Sequence, residues 1–193
     1  MHHNKLRYFI INKPYGVLSQ FSDKQGRKTL KDFFRLAGDV YPVGRLDMNS
    51  EGLLLLTNDK SLTDFLLNPA NKHEREYLVQ VEGEPGNYDL ELFQEGLLIK
   101  GIKTLGAKAI KINTPDIWER IPPIRERKNI PVSWLKVILI EGRNRQIRKM
   151  TAKIGFPTLR LIRTRIKNIL LDDLLPGKTR ELSITEIEKL KTN

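Results

Sequence analysis

The sequence predicts an α+β protein with a mixed, largely antiparallel sheet flanked by helices. Two observations carry that prediction. Stretches of strand length, either continuously apolar or alternating, outnumber helical patterns, and several follow one another with only a turn between them. No internal repeat or low-complexity tract interrupts the pattern, and 193 residues with 39% hydrophobic and 30% charged side chains fit an ordinary globular chain. One domain over residues 1–193 is expected, with room for a small N-terminal subdomain within residues 1–60.

Taken in order, Leu6 to Asn12 reads as a buried strand. Lys13, Pro14, Tyr15 and Gly16 have the punctuation of a turn, and a second strand, Val17 to Phe21, should follow. Thr29 to Leu36 suits a short helix and Val40 to Val43 a strand. Gly52 to Thr57, with Leu53 to Leu56 consecutive, reads as a strand buried on both faces. Ser61 with Asp64 resembles a capping pair that opens a helix ending near Asn68 and Pro69.

Glu76 to Glu82 alternates so that Tyr77, Val79 and Val81 share one face of a strand. Asn87 is placed to cap a helix running to Glu95, and Ala107 to Asn113 alternates again. Three prolines make Ile121 to Pro131 a loop, and Val132 to Ile140 returns to strand. Asn144 is expected to cap a helix closed by Gly155 and Pro157, with Ile147, Met150, Thr151 and Ile154 as its inner stripe. Arg145 and Lys149 then face outward and Arg148 lies on the flank. Two strands, Thr158 to Thr164 and Ile166 to Leu171, come next, and Thr185 with Glu188 reads as the capping box of a last helix.

Composition narrows the chemistry. Without cysteine there is no disulfide, thiolate ligand or cysteine nucleophile, and of three histidines two stand at the extreme N-terminus, so neither a histidine triad nor a metal site is expected. No basic-then-apolar leader opens the chain and no apolar run nears the roughly 20 residues of a membrane helix, so a cytoplasmic protein is expected. The net charge is +11, which calls for an anionic partner, and nucleic acid is the commonest. Arg143, Arg145, Arg148, Lys149, Lys153, Arg160, Arg163, Arg165 and Lys167 fall in one acid-free segment. Surfaces that serve solubility alone mix both signs.

Asp47 follows a strand in a glycine-bearing connection, a place where loops present catalytic groups, although an aspartate in a turn or cap would look the same. Its context is more specific. NKPYGVLS at 12–19, VGRLDMNSEGLLLLTND at 43–59, REYLVQV at 75–81 and EGRNRQIRKM at 141–150 stand in one order along the chain. In sequence and rough spacing these blocks resemble the small-ribosomal-subunit type of pseudouridine synthases, and residues 121–163 resemble members acting on the large subunit. Many relatives carry a basic helical RNA-binding domain before the NKP block. Only eleven residues precede Asn12 here, so that domain is expected to be absent.

The resemblance implies the pseudouridine synthase fold with an active-site cleft on the sheet, and the isomerisation of uridine in large-subunit ribosomal RNA without cofactor or metal, by a monomer. It makes Asp47 the catalytic carboxylate, Arg148 its charge partner, and Tyr77 a ring against the target base. The other reading of Arg148 is a phosphate contact among its neighbours, and that of Tyr77 a core tyrosine. Arg45 is implied to fill the gap left by a flipped nucleotide, a salt bridge being the other use of such a residue. Arg125, Arg127 and Lys128 on the proline-rich loop, with Arg143, Arg145, Lys149, Arg160 and Arg163, complete the expected RNA contacts. Two other classes share parts of this signature: a non-catalytic RNA-binding or ribosome-assembly factor, and a base glycosylase, which would release free uracil.

Overall fold

The computed structural model describes residues 5–34, 38–125 and 129–192. Along the chain run β1 (Tyr8–Lys13), β2 (Tyr41–Pro42), β3 (Glu51–Thr57), α1 (Lys60–Leu67), β4 (Arg75–Glu82), α2 (Asn87–Glu95), β5 (Leu98–Ile99) and β6 (Ile102–Lys103). They are followed by β7 (Lys108–Ile112), β8 (Val132–Leu139), α3 (Gln146–Lys153), β9 (Thr158–Ile166), β10 (Ile169–Leu170), β11 (Thr179–Glu181) and α4 (Ile184–Lys191). The chain divides into two units, residues 1–71 with 163–193 and residues 72–162. Strand β9 runs across the boundary at Arg163.

In the first unit the strand order is β11-β1-β3. Strand β1 pairs antiparallel with β3 from Tyr8↔Thr57 to Lys13↔Gly52. Every residue of β3 is buried, as the leucine run predicts. Its second residue must be glycine: a Cβ on Gly52 would lie 2.3 Å from the Arg163 carbonyl oxygen, and its φ of +101° disfavours any side chain. Ile11, Val17, Leu30, Phe34, Val40, Leu54 and Leu56 form one apolar core cluster, in which Phe9 meets Phe34 edge to face at 5.4 Å.

The C-terminal helix is tied back to the start of the chain. Lys191 Nζ donates to Tyr8 Oη at 2.7 Å and pairs with Asp59 at 2.9 Å. Tyr8 Oη in turn donates to Asp59 at 2.7 Å. Asp59 also caps α1, accepting from the Leu62 N–H at 3.0 Å.

In the second unit the order is β4-β8-β7. Strands β4 and β8 pair antiparallel over eight residues, from Arg75↔Leu139 to Glu82↔Val132. Tyr77, Val79 and Val81 are buried as their alternation predicts. Helix α2 buries Leu90 and Phe93, and the Phe93 carbonyl accepts from the Ala107 N–H at 2.7 Å at the entry to β7. All these ladders are antiparallel, and the isolated bridge Leu18↔Thr29 is parallel. The expected α+β class with a mixed, largely antiparallel sheet is what the chain adopts.

Several boundaries differ from the sequence expectation. Val17 to Phe21 forms only that bridge instead of a strand, because the segment's hydrogen bonds go to loops, Leu18 N–H to Lys28 O and Leu30 N–H to Gln20 O. The helix expected at Thr29 to Leu36 is one 3-10 turn, Leu30–Asp32, and the rest of that expectation falls partly outside the described residues. Helix α1 is capped by Asp59 and not by Ser61. Helix α2 begins one residue earlier in cap terms, at Gly86, whose N–H is held by Asp89 at 2.8 Å. The two expected C-terminal basic strands are one nine-residue strand, β9, and a short return, β10, joined at Ile169↔Ile166. Helix α4 is capped by Ser183 with Glu186, two residues before the expected pair. The β5-β6 hairpin and β11 were not expected, being only two and three residues long. Among the described residues no helix is long and apolar enough to cross a membrane.

Candidate active site

Asp47 lies in the connection from β2 to β3 and is half-buried. Gly44 opens that connection at φ +71°, a value glycine adopts without strain. The Asp47 carbonyl accepts from the Ser50 N–H at 3.0 Å, which closes a turn on the aspartate. Arg45 is exposed.

Behind Asp47 the first unit holds an unusual set of charges. Lys13, Glu51 and Arg163 are all buried. Lys13 Nζ donates to the carbonyls of Pro14 and Val17, both at 2.8 Å. Burial pushes the Lys13 ammonium down to about 7, against the attraction of the Glu51 and Asp47 carboxylates and with the repulsion of Arg163. Arg163 Nε donates to the Leu53 carbonyl at 2.8 Å. The sequence placed Lys13 in a turn and did not single out Glu51. A lysine that ends an apolar strand (Tyr8–Lys13) and an acid that begins one (Glu51–Thr57) were the available signals.

Tyr77 and Arg148 belong to the second unit. Tyr77 stands on β4 opposite Val137 and is 9% exposed. Arg148 is half-buried on α3, and its Nη1 donates to the Thr158 carbonyl at 3.3 Å. Helix α3 is fixed beside β9 by the hydroxyls of Thr151 and Thr158, 2.7 Å apart, and it buries Ile147, Met150 and Thr151 of the expected stripe, whereas Ile154 is its half-buried C-cap. Its N-cap is Arg145 in a left-handed conformation (φ 53°), where Asn144 was expected. Buried Glu141 organises this entry. It accepts from the Leu105 N–H at 2.8 Å, Gln146 Nε2 at 2.6 Å and Arg143 Nε at 2.9 Å, so it ties the loop after β6 to the start of α3. Neither Glu141 nor Gln146 was singled out from sequence, although both lie in the block at 141–150.

The expected RNA contacts separate by burial. Arg125 and Arg145 are exposed, and Arg127 and Lys128 lie outside the described residues. Arg143 is partly exposed but bound to Glu141 and to the Lys103 carbonyl at 2.9 Å. Lys149 is half-buried and turned back onto the Asn144 carbonyl. Arg160 and Arg163 depart from the expectation, with exposures of 6% and 4%. Arg160 donates to the Trp118 carbonyl at 3.0 Å and stacks 5.6 Å from the centre of its ring, holding the segment before the proline-rich loop. Arg160 to Arg163 are consecutively buried on β9, so both faces of the strand are covered there, which a count of basic residues along a segment cannot show.

This chain belongs to the RNA pseudouridylate synthase family, which it matches over residues 7–153. It is accordingly an RNA pseudouridine synthase by class. It is 52% identical over 178 residues to the ribosomal large subunit pseudouridine synthase E of Vibrio parahaemolyticus, covering 92% of this chain and 74% of that protein. It is 47% identical over 174 residues to the synthase of the same name from Xanthomonas campestris pv. campestris, covering 89% and 92%. A crystal structure of a pseudouridylate synthase matches it with a TM-score of 0.80 at 29% identity, over 98% of this chain and 76% of that one. These relatives disfavour the non-catalytic RNA-binding alternative.

Proposed function

We propose that the protein isomerises uridine to pseudouridine at a specific site of large-subunit ribosomal RNA, in the cytoplasm, with Asp47 as the catalytic carboxylate. The observation that carries this is the 52% identity to a large-subunit synthase across 92% of the chain. The GRLD block places Asp47 in a short connection anchored to an entirely buried strand, β3, the kind of rigid support on which a reactive group is held.

The reaction breaks the bond between ribose C1′ and uracil N1, turns the base, and forms a bond from C1′ to C5. The C5 proton leaves and N1 gains one, so the product is an isomer. A carboxylate serves this chemistry as a nucleophile at C1′ or as the base that takes a ribose proton from C2′, and in both roles it must be ionised. We assign Arg148 as the cation that offsets its charge during the reaction and Tyr77 as the ring that meets the target base. A uridine in structured RNA must first leave its stack, which costs a few kcal/mol. Arg45 occupying the vacated space, and phosphate contacts from Arg125, Arg127, Lys128, Arg143, Arg145 and Lys149, offset that cost. Arg160 and Arg163 are left out of this set because they are buried.

The test maps pseudouridine in ribosomal RNA from cells with and without the gene, and in vitro with the purified protein and Asp47→Asn. One or a few uridines of the large-subunit RNA should be modified only when the wild type is present, and Asp47→Asn should lower the rate at least a thousandfold. Full activity of Asp47→Asn would refute the assignment, and modification confined to another RNA would refute the substrate.

A further inference from the structure

Asp47 is held by backbone contacts on both of its peptide neighbours, and both come from the segment that follows β1. On one side Ser19 Oγ donates to the Leu46 carbonyl at 2.8 Å and accepts from the Leu46 N–H at 3.0 Å. On the other, the Gly16 N–H donates to the Met48 carbonyl at 2.8 Å. The turn between these anchors is braced by Lys13, whose Nζ reaches Pro14 O and Val17 O, both at 2.8 Å. The Asp47 carbonyl itself accepts from the Ser50 N–H at 3.0 Å.

Ser19 is 6% exposed and Leu46 7%. A single buried hydroxyl therefore does for Leu46 what a neighbouring strand would do, satisfying both its donor and its acceptor. Removing it leaves two buried backbone groups unpaired, and the backbone must move or admit water to satisfy them. Displacement of a reacting group by about 1 Å is enough to cost on the order of 100-fold in rate.

We propose that Ser19 is a positioning residue for the isomerisation, fixing through Leu46, and together with the turn braced by Lys13, the backbone that presents Asp47. The proposal rests on Asp47 being the catalytic carboxylate. It assigns Ser19 no contact with RNA, so its loss should slow the chemical step without weakening substrate binding.

The experiment compares wild type with Ser19→Ala using total RNA from cells lacking the protein as substrate. Single-turnover rates are followed at whichever uridine the wild type modifies, with RNA affinity and amide hydrogen exchange at Leu46 measured alongside. Ser19→Ala is expected to lower the saturating rate at least tenfold, leave the RNA dissociation constant within twofold, and speed exchange of the Leu46 amide. A rate within twofold of wild type in the folded variant overturns the proposal. So does a slower rate with the Leu46 amide as protected as before, or a slower rate matched by an equal loss of affinity. If Ser19→Ala does not fold at the assay temperature, Ser19→Cys, which fills the site with a slightly larger thiol and weakens both hydrogen bonds, is read by the same outcomes. The substrate assignment fails separately, when the wild type modifies RNA other than that of the large subunit.

Discussion

Lys13 stands in an environment far from the ordinary one of an ammonium group. Its side chain is fully buried, its folded pKa is about 7, and its reference value is 10.5. Between those values the unfolded chain binds more protons than the folded one, so stability rises with pH across that window. The contribution is complete above about 10.5 and is lost as the pH falls through about 7. Lys13→Met removes the group, so the stability of wild type minus that of the variant should increase from pH 7 to pH 9. The slope can reach about 1.4 kcal/mol per pH unit. Urea denaturation at several pH values measures it, and a difference that does not change with pH would show that Lys13 stays protonated in the fold. Asp47, whose charge acts on Lys13, was singled out from its motif. The lysine was not, because a turn signal from Pro14 and Gly16 implies exposure, whereas tertiary packing folds that turn over its own side chain.

At the scale of elements, strands were read more closely than helix starts. The periodicities of β3, β4 and β8 each carry many residues, so a single misplaced side chain does not shift them. A helix cap depends on one or two residues, and the pattern of a hydroxyl followed three residues later by an acid occurs twice around the start of α4, at Ser183 with Glu186 and at Thr185 with Glu188. Packing chooses between them. Leu182 and Leu190 are both buried, and Arg180 grips Glu186 through both carboxylate oxygens at 3.0 and 2.8 Å, holding its pKa down to about 2. Ser183→Ala should therefore destabilise the protein by about 1 kcal/mol, and Thr185→Ala by less than about 0.5 kcal/mol. Thermal denaturation of the two variants side by side decides it, and equal losses would contradict the observed cap.

At the scale of the molecule the net charge of +11 makes RNA binding an electrostatic and therefore salt-dependent process. Each phosphate neutralised by a basic side chain releases bound counterions, so the logarithm of affinity falls linearly with the logarithm of salt concentration. Replacing exposed Arg145 by alanine should reduce that slope by about 1. Replacing buried Arg160 should leave the slope unchanged and lower stability, because its loss frees Trp118. Filter binding across a salt series separates the two, and an equal effect on slope would restore Arg160 to the RNA contacts. The sequence by itself determined the α+β class, the antiparallel strands, the basic character and the family, because period, composition and ordered motifs are properties of consecutive residues. Only the tertiary structure decided which arginines are buried, which residue caps each helix, and that Ser19 and Lys13 brace the backbone around Asp47. Those outcomes depend on groups distant in the chain, 27 residues apart for Ser19 and Leu46, whose desolvation and hydrogen bonding are set only when the chain has folded.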